Sequence, residues 1–328
     1  AGGRELVTRL GRKLGRKGKA KITLVDANMT HIWKPLLHEV AAGSLNSTED
    51  ELNYVAQGKW NHFAFQLGAM TGLDRERRTI QLAAIQDENG VELIAPRELD
   101  YDYLVLAVGS TTNDFNTPGA AEHCLFLDTR AQAERFHRQL LNQYMKAQAS
   151  ERGAAREPIN VAIIGAGATG VELSAELHHA AQLLRAYGFN RISPEDLNIN
   201  IIEASPRLLP ALPERIGGPV TQILRDLGVH LHTGSPVKEV KADRLVLGNG
   251  EEIPASLKVW AAGIRAPAFL AGLGMPTNRI NQLEVDRTLK VNGEDRIYAF
   301  GDCAACPTDE PGKFVPPRAQ AAHQQASL

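Results

Sequence analysis

The sequence predicts an α/β protein of two doubly wound domains, and three observations support this fold class. Apolar strands alternate with amphipathic helices along the chain. A glycine-rich turn stands between a strand and a helix, where a nucleotide-binding unit has one. The same order of elements then occurs in both halves of the chain. Together these observations indicate two Rossmann-like dinucleotide-binding domains.

The second half contains the more complete copy of this order. It comprises an apolar strand at 159–164, the turn Gly165-Ala-Gly-Ala-Thr-Gly170, a helical pattern, an apolar strand at 199–202 that ends at Glu203, and a strand at 257–260 that leads to Gly263. A strand before the glycines and a helix after them is the context that makes such a motif specific.

The first half repeats the order without the opening strand. It comprises Gly2-Gly3, a helical pattern, a strand at 22–25 that ends at Asp26, and a strand at 103–106 that leads to Ala107-Val-Gly109. A last strand at 296–300 ends in Gly301-Asp302 and is expected to return to the first domain. We therefore expect a first domain at 1–115 and 285–328, with a second domain inserted at 116–284.

The glycines and the acids have a common chemical reading. Glycine allows a tight turn and close approach of the backbone to a pyrophosphate, which then lies at a helix N-terminus. An acid after the second strand accepts hydrogen bonds from an adenosine ribose. Because Glu203 would repel a 2′-phosphate, the sequence favours NADH over NADPH. Arg207 is a weak counter-signal, with a solvated loop charge as its alternative reading.

Composition excludes several other classes of protein. The chain has 328 residues, with 36 Lys and Arg against 38 Asp and Glu, so it lacks the basic excess of a nucleic-acid binder. Its three cysteines are too few for a disulfide framework. No apolar run approaches the ~20 residues of a transmembrane helix. The chain opens without Met and closes within a helical-looking run, so we expect a fragment.

Several motifs resemble those of the type II NADH:quinone oxidoreductases, also called alternative NADH dehydrogenases, and particularly their bacterial respiratory branch. The resemblance rests on Trp33-Lys-Pro-Leu-Leu-His-Glu39, Ala107-Val-Gly-Ser-Thr-Thr-Asn-Asp-Phe115, Gly165-Ala-Gly-Ala-Thr-Gly-Val-Glu172, Trp260-Ala-Ala-Gly-Ile264, Gly301-Asp302 and Ala319-Gln-Ala-Ala-His-Gln324. The last of these is characteristic of the quinone-reducing branch.

The resemblance assigns the cofactors, which composition alone could not do. It implies an FAD site at Gly2, Gly3, Asp26, Gly109, Gly301 and Asp302. It implies an NADH site at Gly165, Gly167, Gly170, Glu203 and Gly263. Glu172 would lie near the nicotinamide and the flavin, although an exposed first-turn acid stabilised by the helix dipole explains the same residue. Gln320 and Gln324, four residues apart on one helical face, would border the quinone.

The implied reaction is a two-electron relay without proton pumping. NADH gives a hydride to FAD, and the reduced flavin passes two electrons to a membrane quinone of the respiratory chain. The resemblance implies a peripheral protein on the cytoplasmic face of the bacterial inner membrane, held there by a C-terminal region that we expect to lie outside this fragment. The oligomeric state stays open, with a homodimer as one candidate.

Two alternatives and one discounted signal remain. A sulfide:quinone oxidoreductase needs cysteines beside the flavin, and no such cysteines can be placed in this sequence. A low-turnover NADH- and FAD-binding redox sensor would not need Gln320 and Gln324. Cys303-Ala-Ala-Cys306 has redox spacing, but a pair of loop thiols is the simpler reading, so we expect no metal site.

Overall fold

A five-stranded parallel sheet forms the centre of the second half of the chain, in a computed structural model that describes residues 2–46, 51–149, 158–186 and 194–328. The α-helices are α1 Gly2–Lys13, α2 Leu37–Ala42, α3 Tyr54–Asn61, α4 Ala120–His123, α5 Arg130–Ala149, α6 Ala168–Ala186, α7 Glu214–Asp226 and α8 Ala319–Gln325.

The strands of the described ranges follow in chain order. The first are β1 Thr23–Asp26, β2 Thr30–His31, β3 Leu52–Asn53, β4 Ala64–Leu67, β5 Met70–Asp74, β6 Thr79–Leu82, β7 Ile85–Gln86, β8 Glu92–Ile94, β9 Arg97–Asp100, β10 Leu104–Leu106, β11 Thr111–Thr112 and β12 Leu125–Phe126. The remainder are β13 Ile159–Ile164, β14 Leu197–Ile202, β15 His230–His232, β16 Val237–Val240, β17 Arg244–Leu247, β18 Glu252–Pro254, β19 Leu257–Trp260, β20 Ile264–Arg265, β21 Leu283–Glu284, β22 Ile297–Ala299 and β23 Ala304–Ala305.

The order of strands in the central sheet is β12-β19-β13-β14-β15, and every adjacent pair is parallel. β13, β14 and β19 are almost entirely buried because each consists mainly of apolar residues covered on both faces. Helix α6 presents Leu173 and Leu177 to this core, and both side chains are fully buried. The alternation predicted from sequence is therefore confirmed.

The other part of the chain is built from short sheets. β1 pairs in parallel with β4, and β10 pairs in parallel with β22, so the strand near the C-terminus returns to the strand that leads to Gly109. An antiparallel sheet of order β5-β6-β9 lies between these strands in sequence. A separate apolar core includes Leu106, Ile297 and Phe300.

The chain separates into two compact units, one of residues 1–31, 51–111 and 264–328 and the other of residues 32–50 and 112–263. These bounds differ from the expected domain bounds in three places, one of which is residues 112–115, which group with the second unit. Residues 32–50 group with the second unit because α2 packs on α5 and α6. Residues 264–284 group with the first unit, where β21 pairs with β23. The expected bounds of the nucleotide-binding domains, 1–115 with 285–328 and 116–284, stay a prediction.

Within the described ranges, none of the helices combines the length and the apolar character needed to cross a bilayer.

Candidate functional site

The turn after β13 has the geometry that its glycines predict. Gly165 has a φ of +106°, and a Cβ there would lie 2.7 Å from the backbone nitrogen of Ala262. A Cβ on Gly170 would lie 2.0 Å from the carbonyl oxygen of Gly165. A Cβ on Gly167 would meet nothing within 4 Å. Two glycines are therefore required by packing, and the third leaves the backbone open to a ligand.

Glu203 follows β14 directly, and its carboxylate is held by two backbone N–H groups. The N–H of Ala166 donates to Oε2 at 2.8 Å, and the N–H of Ser205 donates to Oε1 at 2.7 Å. Because each carboxylate oxygen has about two acceptor positions, one remains on each oxygen. The half-buried side chain can thus accept two further hydrogen bonds from a vicinal pair of hydroxyls.

Arg207 is engaged in its own loop. Its guanidinium donates to the carbonyl oxygens of Leu209 at 3.3 Å, Pro210 at 2.8 Å and Leu212 at 2.8 Å. These bonds organise the segment before α7. The side chain is therefore a structural element of this loop, and a role in binding a 2′-phosphate is not favoured.

Gly263 lies three residues beyond the end of β19 and is covered by an aromatic ring. It has a φ of +65°, and a Cβ there would lie 2.4 Å from Cζ of Phe115. The indole N–H of Trp260 donates to the carbonyl of Asn113 at 2.9 Å, which fixes the same loop. A side chain at position 263 would displace Phe115.

Glu172 lies in the first turns of α6 and faces a histidine of α2. His38 Nδ1 is 3.6 Å from Glu172 Oε2, with the histidine side chain 12% exposed and the glutamate side chain 51% exposed. The Trp33–Glu39 motif thus contacts the glycine-turn helix through His38. This contact adds a partner that neither reading of Glu172 had supplied.

Asp128 was not predicted from the sequence, yet it gathers several hydrogen bonds. Its carboxylate accepts the N–H of Thr112 at 2.9 Å, the hydroxyl of Thr112 at 3.0 Å and the ammonium of Lys34 at 2.9 Å. It therefore joins the start of the Trp33–Glu39 motif to the Ala107–Phe115 motif. One indication of this link is visible in the sequence, which is that the segments Trp33–Glu39 and Ala107–Phe115 are both recognisable motifs.

In the other unit, Gly2 and Gly3 open α1 against neighbouring backbone and side chains. A Cβ on Gly2 would lie 2.5 Å from Cε2 of Phe300 and 2.8 Å from the carbonyl oxygen of Ala322. A Cβ on Gly3 would lie 3.1 Å from Cβ of Ala107. These glycines allow α1 to pack closely against its surroundings, as the third motif glycine does in a dinucleotide fold.

Asp26 ends β1 and accepts hydrogen bonds on both carboxylate oxygens. Oδ1 accepts the N–H of Asn28 at 2.9 Å, and Oδ2 accepts the hydroxyl of Tyr54 at 3.1 Å. The half-buried carboxylate is thus held in one orientation. Tyr54 is a site residue that the sequence did not reveal, because it lies 28 positions away.

Gly301 and Asp302 form a loop beside the helix α8. The hydroxyl of Ser110 donates to Asp302 Oδ2 at 2.8 Å, which joins this loop to the segment after Gly109. The N–H of Gly301 donates to Oε1 of Gln325 at 2.9 Å. Gly109 has a φ of +72° and open space where a Cβ would stand. The chain therefore brings Gly109 and Asp302 together.

Gln320 and Gln324 are both in α8, one turn apart, and both are exposed. The buried side of the same helix carries Ala322, near Gly301 and Gly2. Gln325, which we did not select, is the glutamine that contacts the Gly301 loop. The two predicted glutamines remain available to a ligand.

The cysteines are all buried free thiols. Burial raises the pKa of Cys124 to about 12 and that of Cys303 to about 11, and it also raises the pKa of Cys306. Such thiols are poor nucleophiles near neutral pH. Within the described ranges, no three His, Cys, Asp or Glu side chains are grouped as metal ligands would be. The cysteines therefore give no support to the sulfide:quinone alternative.

Comparison with known proteins defines the class. A family model described as pyridine nucleotide-disulphide oxidoreductase matches residues 1–326. The class is that of flavoproteins with two dinucleotide-binding domains, which bind FAD and NAD(H), and the predicted fold class is confirmed. Within it, the chain belongs to the type II NADH:quinone oxidoreductase family, because it is 45% identical to the Haemophilus influenzae enzyme of that name over 99% of this chain and 76% of that protein.

More distant relatives agree with this placement. The type II NADH:quinone oxidoreductase of Staphylococcus aureus is 27% identical over 98% of this chain and 77% of that protein. The solved structure of NDH2 from Plasmodium falciparum in complex with NADH has a TM-score of 0.75 at 23% identity. It covers 88% of this chain and 60% of that one, and it supports the fold.

The different environments of the three motif glycines generate a prediction. Gly170→Ala should destabilise the protein by about 1–3 kcal/mol, because its methyl group meets the Gly165 carbonyl. Gly167→Ala should leave the Tm of the ligand-free protein unchanged but weaken NADH binding severalfold, because a methyl group enters the space expected for the pyrophosphate. Thermal unfolding and NADH titration measure the two effects. Equal NADH affinity in Gly167→Ala and the parent would contradict the assignment of this turn.

Proposed function

We propose that this chain is the dinucleotide-binding part of a non-proton-pumping NADH:quinone oxidoreductase. The overall reaction converts NADH, a proton and a quinone to NAD⁺ and a quinol. The observation that carries the proposal is the 45% identity over 99% of this chain to an enzyme with that name. The positions of Glu203, Asp26 and Asp302 support it independently, because each carboxylate follows a strand where a nucleotide hydroxyl would be bound.

The residues of the first unit fit an FAD site. Asp26 would bind the adenosine ribose, Gly2 and Gly3 would adjoin the pyrophosphate, and Gly109, Gly301 and Asp302 would lie along the ribitol and flavin. Bound FAD would supply the chemistry, since it accepts a hydride from NADH and returns the electrons to a second substrate. The contribution of the chain is to bind and orient the groups that react.

NADH would be bound at the glycine turn of the second unit. Gly165, Gly167 and Gly170 would adjoin its pyrophosphate at the N-terminus of α6, where the helix dipole favours an anion. Glu203 would accept hydrogen bonds from the adenosine ribose with its two remaining acceptor positions. Gly263 would border the nicotinamide end of the dinucleotide.

Glu172 would position the nicotinamide ring, assisted by His38. The carboxylate is half-exposed and therefore available to a ligand, while the histidine beside it is mostly buried. A buried imidazole that contacts an exposed carboxylate restricts the orientations of that carboxylate.

Gln320 and Gln324 would bind the quinone. Each amide offers two donors and an acceptor, which suits a carbonyl that becomes a hydroxyl on reduction. Their exposure on one face of α8 leaves both amides free to bind the same molecule. We further propose that the whole protein acts at the cytoplasmic face of the bacterial inner membrane, since a membrane quinone would be reached there.

The complete cycle can be followed by absorbance in the full protein. NADH should bleach the visible absorption of the bound oxidised flavin, and a quinone should then restore it. Bleaching without reoxidation by any quinone would support the redox-sensor alternative.

Nucleotide preference tests Glu203. The parent protein should prefer NADH to NADPH, because a 2′-phosphate would meet the Glu203 carboxylate. Glu203→Gln should lower kcat/KM for NADH by about tenfold. The amide NH2 of glutamine is a donor, so it cannot accept the N–H of Ala166 or of Ser205 as a carboxylate oxygen does. Glu214→Gln, at an exposed acid of α7, is the matched control. Similar kcat/KM values for the two nucleotides in the parent would refute the assignment.

Single-turnover mixing with NADH tests Glu172. Glu172→Gln should slow flavin reduction severalfold while FAD stays bound, and His38→Leu should change the rate in the same direction. Glu176→Gln, one turn further along α6, is the matched control. If NADH reduces the flavin of the Glu172→Gln variant at the parental rate, Glu172 is instead an acid that stabilises α6 through the helix dipole.

The reoxidation half-reaction tests α8. Gln320→Ala and Gln324→Ala should leave flavin reduction by NADH nearly intact and slow reoxidation by quinone severalfold, because a lost hydrogen bond costs ~1 kcal/mol. Ferricyanide should reoxidise both variants almost normally, and Gln222→Ala, at an exposed position of α7, is the control. If quinone reoxidises the flavin of both variants at the parental rate, the quinone binds elsewhere.

A further inference from the structure

The carboxylate of Asp26 is held by side chains as well as by backbone. Oδ1 accepts the N–H of Asn28 at 2.9 Å and its side-chain amide at 3.3 Å. Oδ2 accepts the hydroxyl of Tyr54 at 3.1 Å. Of about four acceptor positions on a carboxylate, three are therefore occupied and one remains on Oδ2.

Tyr54 is fixed rigidly at the start of α3. Asn53 caps this helix by accepting the N–H groups of Val55 and Ala56, and the N–H of Tyr54 donates to the carbonyl of Met29 at 3.1 Å. The tyrosine is 3% exposed, and its ring stacks on Phe65 at 5.3 Å between centroids. Phe65 belongs to β4, which pairs with β1, the strand that ends at Asp26.

His31 lies on the other side of the Tyr54 hydroxyl, with Nδ1 at 3.2 Å from the oxygen. Burial lowers the pKa of His31 to about 4, so its ring is neutral near pH 7. Burial and the nearby Asp26 carboxylate raise the pKa of Tyr54, so the hydroxyl keeps its proton. The ionised carboxylate can only accept, so the single hydroxyl proton goes to Asp26. His31 must then donate from Nδ1–H to the tyrosine oxygen.

We infer that Tyr54, oriented by His31, is a positioning residue that aligns the Asp26 carboxylate for the adenosine ribose of FAD. The inference rests on the proposed function, which places FAD in this unit. Donation from Tyr54 takes one position on Oδ2 and directs the other to a ribose hydroxyl. Because the orientation exists before binding, less conformational entropy is lost when FAD binds.

The affinity of the full protein for FAD tests the inference. Tyr54→Phe keeps the stacked ring and removes only the hydroxyl, and it should raise the Kd for FAD on the order of fivefold to tenfold. Flavin fluorescence during reconstitution of the deflavinated protein measures the Kd. Tyr144→Phe is the matched control, since Tyr144 is 2% exposed and its buried hydroxyl has no hydrogen-bond partner among the described residues.

Two substitutions at His31 distinguish the effect of its Nδ1–H donor from the effect of its side-chain volume. His31→Asn places an amide donor near the position of Nδ1–H and should retain most of the affinity. His31→Leu removes the donor and should weaken FAD binding in the same direction as Tyr54→Phe. Equal effects of the two changes would contradict a role for the Nδ1–H donor.

An FAD analogue whose adenosine ribose lacks both hydroxyls distinguishes positioning from general destabilisation. The Tyr54→Phe change should leave the Kd of this analogue almost unaltered, because no ribose hydroxyl meets Asp26. A merely structural effect would weaken both ligands equally and would overturn the inference, as would an unchanged Kd for FAD in Tyr54→Phe. Failure of the parent protein itself to bind FAD would instead refute the proposed function.

Discussion

The close approach between the glycine turn and the strand β19 is the constraint on which the nucleotide site of the second unit depends. Gly165 follows β13 and lies against the backbone of Ala261 and Ala262, which follow β19. The N–H of Gly165 also donates to the carbonyl of Ile202 at 2.7 Å, at the end of β14. The ends of three adjacent strands are thereby tied together, and α6 begins directly above them. The position of Glu203, one residue beyond Ile202, follows from the same contact.

The two units hold equivalent carboxylates by different means. Glu203 is oriented by the N–H groups of Ala166 and Ser205, which any residue at those positions other than proline would supply. Asp26 depends for its second oxygen on the hydroxyl of Tyr54, which comes from a separate helix. The first arrangement is a property of the backbone and tolerates substitution of its partners. The second is a property of particular side chains, so a single substitution of Tyr54 removes a hydrogen bond that holds the carboxylate.

This difference explains how much could be predicted from the sequence. The glycine turn, Glu203 and the buried strands were predictable because they depend on short runs of residues with a fixed period or spacing. Tyr54 was not, since it joins Asp26 only through the pairing of β1 with β4 and the packing of α3. The packing of residues 32–50 on the second unit has no sequence signal for a similar reason, because the burial of Leu37 and Val40 by α5 and α6 is a tertiary contact without a local pattern. Gln325 likewise differs from Gln324 only in the side of α8 that it occupies.

The burial of the thiols determines how the chemistry is divided between the chain and its ligands. Cys303 is fully buried and donates weakly to the carbonyls of Leu106 and Phe300, so its sulfur serves packing within the core of the first unit. Desolvation disfavours thiolate formation, and a thiolate is the form that attacks a disulfide or a sulfide adduct. A member of a class described by disulphide chemistry therefore lacks an accessible thiol among its three cysteines. The thiols are thus part of the packed interior, and the roles proposed for other residues of the chain rest on position, charge and hydrogen bonding.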